Sequence, residues 1–271
     1  MEQIVVIGGG HAAAQLCAGL VEAGIGPRVH LVCEEPLLPY QRPPLSKTFL
    51  KNSQEATQVH KAENWYQQAG ITVHLGDPAV RIDRENRRVH LRSGAELAWT
   101  RLVLATGTRA RAMPGWPAGL ANVMPLRIAE HATRLRAQLA DAPSVTVIGG
   151  GFIGLEVAAT AAALGKSVTV IESAPRLMGR AVSPMLSEFV LGVHRANGMD
   201  IRLASRIDEA RFDTGPDRLA ALSVDGRPVA VDLVVMGIGA VPETTLAEAA
   251  GLECADGVLV DSAMQIGRAH V

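Results

Sequence analysis

The chain has 271 residues, enough for about two domains with a sizeable core. A formal net charge of −1 gives no reason to expect a nucleic-acid partner, and a hydrophobic fraction of 48% is not that of a membrane protein. Three cysteines, Cys17, Cys33 and Cys254, lie far apart with no CxxC, which argues against a zinc site or a local redox disulfide and fits a reducing cytoplasm; all three read as buried, inert thiols.

The opening stretch Ile4 to Leu20 is as apolar as a signal peptide or anchor, but it lacks a basic leader and glycines interrupt it, so neither is predicted. Instead, Ile4-Val5-Val6-Ile7 reads as a strand, Gly8-Gly9-Gly10-His11-Ala12-Ala13 as a tight turn opening a helix, and Val29 to Cys33 as a second strand ending at Glu34. Residues 34–51 are irregular and proline-rich. Connections this long are functional or disordered, and the mixture of apolar residues with Arg42 and Lys47 argues against disorder. A helix is predicted over 60–69 and a small β-meander over 71–105, with turns at Asn86 and Ser93-Gly94. Its last strand leads into Thr106-Gly107-Thr108-Arg109, and Met113-Pro114-Gly115-Trp116-Pro117 marks a domain crossing.

Arg127 to Leu139 reads as a helix. From 144 to 171 the chain repeats its opening: the strand Val145-Thr146-Val147-Ile148, the turn Gly149-Gly150-Gly151-Phe152-Ile153-Gly154, an alanine-rich helix, and a strand from Ser167 to Ile171 ending at Glu172. A helix over 183–197 follows, then alternating residues 199–235 with Asp225-Gly226 as a hairpin turn. Val231 to Met236, continuing through Gly237 to Pro242, reads as a strand returning to the first domain. The fold class expected is α/β, with two Rossmann-like dinucleotide-binding domains, each with a parallel sheet and an accessory β-meander. Their predicted extents are 1–112 with 236–271, and 113–235.

The spacing in the two glycine turns carries chemistry. The first glycine (Gly8, Gly149) permits the sharp turn, the second lets a pyrophosphate approach the backbone (Gly10, Gly151), and the small third residue (Ala13, Gly154) lets helix and strand pack closely. The anionic pyrophosphate then meets free N–H groups at a helix N-terminus. One such turn can be a mere connector; two, each in a strand–helix–strand setting with an acid at the end of the second strand, point to two dinucleotides. Two dinucleotides held face to face is how a flavin takes hydride from a nicotinamide. Glu172 would repel a 2′-phosphate, so NAD rather than NADP is expected.

Leu38-Pro39-Tyr40-Gln41-Arg42-Pro43-Pro44-Leu45-Ser46-Lys47, the run Gly149 to Glu156, Val170-Ile171-Glu172 and Leu177-Met178-Gly179-Arg180 together carry a resemblance. The chain resembles the ferredoxin and rubredoxin reductase branch of the two-dinucleotide-binding flavoprotein disulfide-reductase superfamily, from residue 2 to about residue 265. The resemblance implies FAD and NADH as cofactors, hydride transfer from NADH to the flavin, and single electrons passed to a 2Fe-2S ferredoxin or rubredoxin, in the cytoplasm, for an oxygenase system. It implies that Ala12 and its neighbouring glycines hold the FAD pyrophosphate, Glu34 its ribose and Val80 its adenine. Arg42 and Lys47 would lie by the flavin, Thr106, Gly107 and Arg109 would line the FAD cleft, and Arg127 would reach it. On the NAD side, Gly151, Phe152 and Ile153 would sit by the pyrophosphate, Glu156 and Gly239 by the nicotinamide, Glu172 at the ribose and Arg180 at the adenine end. Lys47 and Glu156 are the residues implied in catalysis.

The loop from Glu34 to Lys47 has no cysteine, which sets aside coenzyme A disulfide reductases and NADH oxidases. Monodehydroascorbate-reductase-like or apoptosis-inducing-factor-like flavoproteins remain the alternative. The family continues with a Gly-Asp pair and an interface domain beyond this point, so the chain as it stands is expected to hold FAD weakly, if at all. Ile266 to Val271 departs from the family pattern and reads as a foreign tail on a truncated gene. The arginines 81, 84, 87, 88 and 92 read as a solvated hairpin face rather than a docking site for an acidic ferredoxin. No histidine pair has metal-ligand spacing, so no metal is expected; His11 would line the FAD entrance, and Trp65, Trp99 and Trp116 read as packing residues.

Overall fold

The computed structural model describes residues 2–213 and 218–267, so most of the segment read as a foreign tail, 266–271, lies outside the described residues. The chain divides into two units: Met1–Gln41, Gln58–Arg109 and Val241–Val271 form the first, Arg42–Thr57 and Ala110–Ala240 the second. The main difference from the predicted extents is the segment 42–57. Its short helix Thr48–Lys51 packs on the helix Ala129–Asp141, with the Arg136 guanidinium 4.2 Å over the Phe49 ring, and this contact is what places it in the second unit.

The first unit is built on four parallel strands in the order Thr72–Leu75, Val29–Cys33, Ile4–Ile7, Arg101–Leu104. Both faces of Ile4–Ile7 are covered, which is why the run shows no polar alternation. Ile4 and Val6 pack with Ala13 and Cys17 of the helix His11–Glu22 and with Tyr66 and Ile71. Val5 and Ile7 pack with Ile82, Val89 and Leu91 of an antiparallel sheet, Ala79–Asp83, Arg88–Leu91 and Glu96–Ala98. The meander predicted over 71–105 is therefore shorter than expected. Its first and last runs join the parallel sheet, because alternation in a four-residue run does not specify the partner strand. The helix predicted over 60–69 is Glu63–Gln68.

The second unit repeats the plan with five parallel strands in the order Asp200–Arg202, Ser167–Ile171, Ser144–Ile148, Leu233–Met236, Val123–Pro125. An antiparallel sheet of Ile207–Phe212, Leu219–Val224 and Arg227–Val229 packs through Leu219, Leu222 and Val224 against Ile148, Ile171 and Val234. Asp225 (φ 51°) and Gly226 (φ 70°) are both left-handed, as a two-residue hairpin turn of this hand requires. Leu233–Met236 does not return to the first unit as predicted but pairs with Ser144–Ile148, and the chain crosses only at residues 240–241. The helix Pro184–Ala196 starts with proline at its first position and Ser183 accepting from the Leu186 amide at 3.3 Å.

Each tryptophan packs within its own unit: Trp65 on Tyr66, Trp116 on Phe212, and Trp99 in the core beneath the small sheet. Cys17 and Cys33 are fully buried, and burial pushes their thiols up to about 11 and about 12, which keeps them protonated and unreactive. Cys254 corrects the expectation that all three are buried; it is half-buried, and burial again raises its pKa. Among the described residues no helix is long and apolar enough to cross a membrane.

His30 and His74, on adjacent strands, bring Nδ1 and Nε2 within 3.2 Å with rings nearly parallel at 23°. Burial lowers both pKa values from the usual 6.5, and for His30 the neighbouring His74 charge lowers it further. A depressed folded-state value means that the unfolded chain binds protons first as pH falls. Stability is then complete above pH 6.5 and declines as pH falls from there toward the folded values. Thermal unfolding between pH 8 and pH 5 should show this loss. The double variant His30→Gln/His74→Gln should flatten part of the slope, the remainder belonging to His60 and His194, which are also lowered by burial.

Candidate functional site: two glycine turns and a lysine–glutamate pair

In the second unit, Gly149 has φ +110°, and a Cβ there would lie 2.4 Å from the carbonyl oxygen of Gly237. Only glycine fits where the two central strands end side by side. Gly154 is held equally tightly: its Cβ would meet the Gly149 carbonyl at 2.2 Å, so the helix Phe152–Ala163 starts directly against the strand it follows. Gly151, in contrast, opens onto free space, with nothing within 4 Å of a Cβ. The helix begins there without a side-chain cap, and Phe152 and Ile153 are exposed. Uncapped amides facing open space are what a pyrophosphate requires.

The first unit has the same construction. Gly8 has φ +127°, and its Cβ would lie 2.1 Å from the Ala105 carbonyl oxygen. Gly10 faces open space, the helix His11–Glu22 is uncapped by any side chain, and His11 and Ala12 are exposed. Ala13 is fully buried in the position of Gly154. The residues present in both units therefore fit a dinucleotide pyrophosphate.

The two terminal acids differ. Glu172 accepts from the Gly150 amide at 2.6 Å and the Ala174 amide at 2.7 Å, which ties the end of its strand to the glycine turn. Each carboxylate oxygen keeps lone pairs for a ribose diol. Glu34 is exposed and lacks this anchoring; its neighbour Glu35 instead accepts from the Tyr40 hydroxyl at 2.7 Å. The segment after Glu172 closes on the turn: the Met178 amide donates to the Gly150 carbonyl at 2.9 Å, and Arg176 donates to the carbonyls of Val182 and Gly179. Arg176, which the sequence reading passed over, holds this loop; Arg180 is exposed.

Of the other residues singled out, Lys47 and Glu156 are brought together within the second unit, with Nζ 2.8 Å from Oε1. Ser46, also passed over, donates from Oγ to Glu156 Oε2 at 2.5 Å. Arg42 donates to the Arg127 carbonyl at 3.4 Å in the same unit. In the first unit, the register shift between Ala79 and Arg81 takes Val80 out of the strand pairing and leaves it exposed. Thr106 donates to the Glu243 carbonyl at 2.7 Å, the Glu243 amide donates to the Gly107 carbonyl at 2.9 Å, and Arg109 lies 3.5 Å from the Glu243 carboxylate. Gly239 has φ +101° and its carbonyl accepts from the Arg111 amide. In the arginine-rich hairpin, Arg81 pairs with Asp83 and contacts His90, and Arg84 donates to the carbonyls of Ala250 and Gly251. Among the described residues no cluster of three or more His, Cys, Asp or Glu side chains could hold a metal.

Two such turns, each opening a helix from a parallel sheet, define a two-dinucleotide-binding fold. Residues 2–271 match the family described as Pyridine nucleotide-disulphide oxidoreductase. The chain is 39% identical to the rubredoxin-NAD(+) reductase of Ectopseudomonas oleovorans, over 96% of this chain and 68% of that protein. It is 40% identical to a terpredoxin reductase from a Pseudomonas species, over 95% of this chain and 63% of that protein. The crystal structure of the ferredoxin reductase for the CYP199A2 system from Rhodopseudomonas palustris superimposes with a TM-score of 0.90 at 37% identity, covering 98% of this chain and 66% of that one. The chain thus spans about two thirds of the length of the relatives it matches. It belongs to the pyridine nucleotide-disulphide oxidoreductase family, in the branch of the ferredoxin and rubredoxin reductases.

The glycines make separable predictions. Gly149→Ala forces a Cβ into a carbonyl at positive φ and should cost more than about 2 kcal/mol of stability. Gly151→Ala changes only an uncapped helix start and should cost well under about 1 kcal/mol. Denaturant midpoints of the two variants check the difference.

Proposed function

We propose that this chain carries the dinucleotide-binding machinery of an FAD-dependent NADH:ferredoxin or NADH:rubredoxin reductase serving an oxygenase system. The observation that carries this function is the matched pair of glycine turns, one per unit, each with uncapped helix amides facing open space. FAD is assigned to the first unit and NADH to the second. When bound, the flavin supplies two-electron uptake and one-electron release, chemistry that no side chain provides.

The remaining work falls to residues of the chain. The amides from Gly10 to Ala13 and from Gly151 to Gly154 hold the pyrophosphates. Glu34 and Glu172 are assigned the two riboses, and the negative charge of Glu172 disfavours a 2′-phosphate. Lys47 and Arg42 bring positive charge to the flavin, and Glu156 anchors Lys47 while facing the nicotinamide. Val80, Thr106, Gly107, Arg109 and Arg127 are assigned to FAD; Phe152, Ile153, Arg180 and Gly239 to NAD. Hydride transfer needs no protein acid or base, so these residues contribute orientation and charge.

The acceptor is proposed to be a 2Fe-2S ferredoxin or a rubredoxin, in the cytoplasm. The relatives' own names, rubredoxin-NAD(+) reductase, terpredoxin reductase and ferredoxin reductase, support that class of acceptor over a monodehydroascorbate-reductase-like or apoptosis-inducing-factor-like protein.

Anaerobic titration with FAD, followed by visible absorbance, should show weak binding by this chain, and the flavin that is held should be bleached by NADH. NADPH should require at least about tenfold more, and Glu172→Ala should erase that preference, since like-charge juxtaposition costs several kcal/mol. Flavin that stays oxidised with excess NADH would rule out the hydride step. Cytochrome c reduction that does not depend on added ferredoxin or rubredoxin would rule out the acceptor.

A further inference from the structure

We infer that Ser46 is a positioning residue that fixes the orientation of the Glu156 carboxylate, and with it the place of the Lys47 ammonium, a role that rests on the function proposed above. Ser46 is 4% exposed, at the end of the short turn Pro43–Ser46. Its hydroxyl lies 2.5 Å from Glu156 Oε2 and 3.3 Å from the Pro43 carbonyl oxygen. A hydroxyl has one proton, and the short contact to a charged acceptor takes it. The next residue, Lys47, places Nζ 2.8 Å from Glu156 Oε1. Consecutive residues of one turn therefore occupy the two oxygens of one carboxylate separately.

The backbone on both sides of Lys47 is held as well. Thr160, one helical turn beyond Glu156, donates its Oγ1–H to the Ser46 carbonyl at 3.0 Å in a buried bond. The hydroxyl and carbonyl of Ser46 are thus held by positions i and i+4 of a single helix face. Beyond Lys47, Arg136 donates to the carbonyls of Phe49, Asn52 and Glu55. The Lys47 side chain, 48% exposed, also donates from Nζ to the Pro43 carbonyl at 3.3 Å, so the freedom left is in the rotation of the Glu156 carboxylate. With Oε2 held by Ser46, the carboxylate cannot turn without breaking a bond. Without that hydroxyl, the carboxylate plane is free to turn and the pair becomes an ordinary solvent-screened one. Ser46 thereby holds the positive charge of Lys47 in one place, which a hydride-transfer site needs.

The test uses the purified chain without cofactor, acylating it with an N-hydroxysuccinimide ester. The modification rate of Lys47 is read by peptide mass spectrometry against Lys166, whose ammonium donates to the Ala140 carbonyl. Ser46→Ala should raise the relative rate about fivefold, the loss of one modest hydrogen bond. Ser46→Thr, which keeps the hydroxyl, should restore it, and Ser46→Ala should add nothing to Glu156→Gln. In the loaded enzyme, Ser46→Ala should lower the rate constant of flavin reduction by NADH while leaving the KM for NADH within about twofold. A wild-type rate for Lys47 in Ser46→Ala with an intact circular dichroism spectrum would overturn the assignment, as would additivity with Glu156→Gln. If Ser46→Ala does not fold, Ser46→Gly carries the same comparison. If NADH fails to reduce flavin in the wild type, the proposed function falls, while the acylation rates still decide the role of Ser46.

Discussion

The chain is organised around two points where one backbone carbonyl occupies the space of a missing Cβ. At Gly8 the carbonyl belongs to Ala105, and at Gly149 to Gly237, each just past the end of the neighbouring parallel strand. This contact lets the two central strands of each sheet end level with one another. The turn can then direct its helix back along the sheet with its first amides exposed. The buried third position, the open second glycine and the uncapped helix all follow from that geometry. A residue with a side chain at Gly8 or Gly149 would push the strands apart and remove the open space at Gly10 or Gly151.

Much of this was legible in the sequence, because the constraint is local. An apolar four- or five-residue run, a glycine triplet and a helix with a small residue at its third position can be read without knowing what lies alongside. Asp225-Gly226 was legible for the same reason, since the turn it makes needs two left-handed residues. The pairings that depend on a distant partner were not. Thr72–Leu75 and Arg101–Leu104 look like meander strands in isolation, and only the strands beside them place them in the parallel sheet. Leu233–Met236 reads equally well as a strand of either sheet.

The candidate site divides along the same line. Lys47 and Glu156 could be singled out from motifs, but their juxtaposition could not, because they lie far apart in sequence. Ser46 carried no signal of its own: a serine after Pro-Pro-Leu reads as part of a turn, and nothing local points its hydroxyl at a carboxylate on a helix that starts at Phe152. The same holds for Arg176 and Arg136, whose guanidinium groups bond backbone carbonyls of neighbouring segments. Side chains that hold loops rather than touch ligands have no composition or spacing to betray them.

The order of the segments also bears on how the protein is made. Leu246 and Ala250 pack against the face of the first sheet that holds Val5, Ile7 and Val32, yet they follow the whole of Ala110–Ala240 in the chain. On a ribosome, the parallel sheet of the first unit and the small sheet across this face have been synthesised once Leu104 has emerged, while the place of Leu246 and Ala250 stays unfilled until the second unit has been made. At ordinary elongation rates that interval is on the order of ten seconds. The nascent chain must therefore leave that edge of its first core unsealed through about half of its own translation.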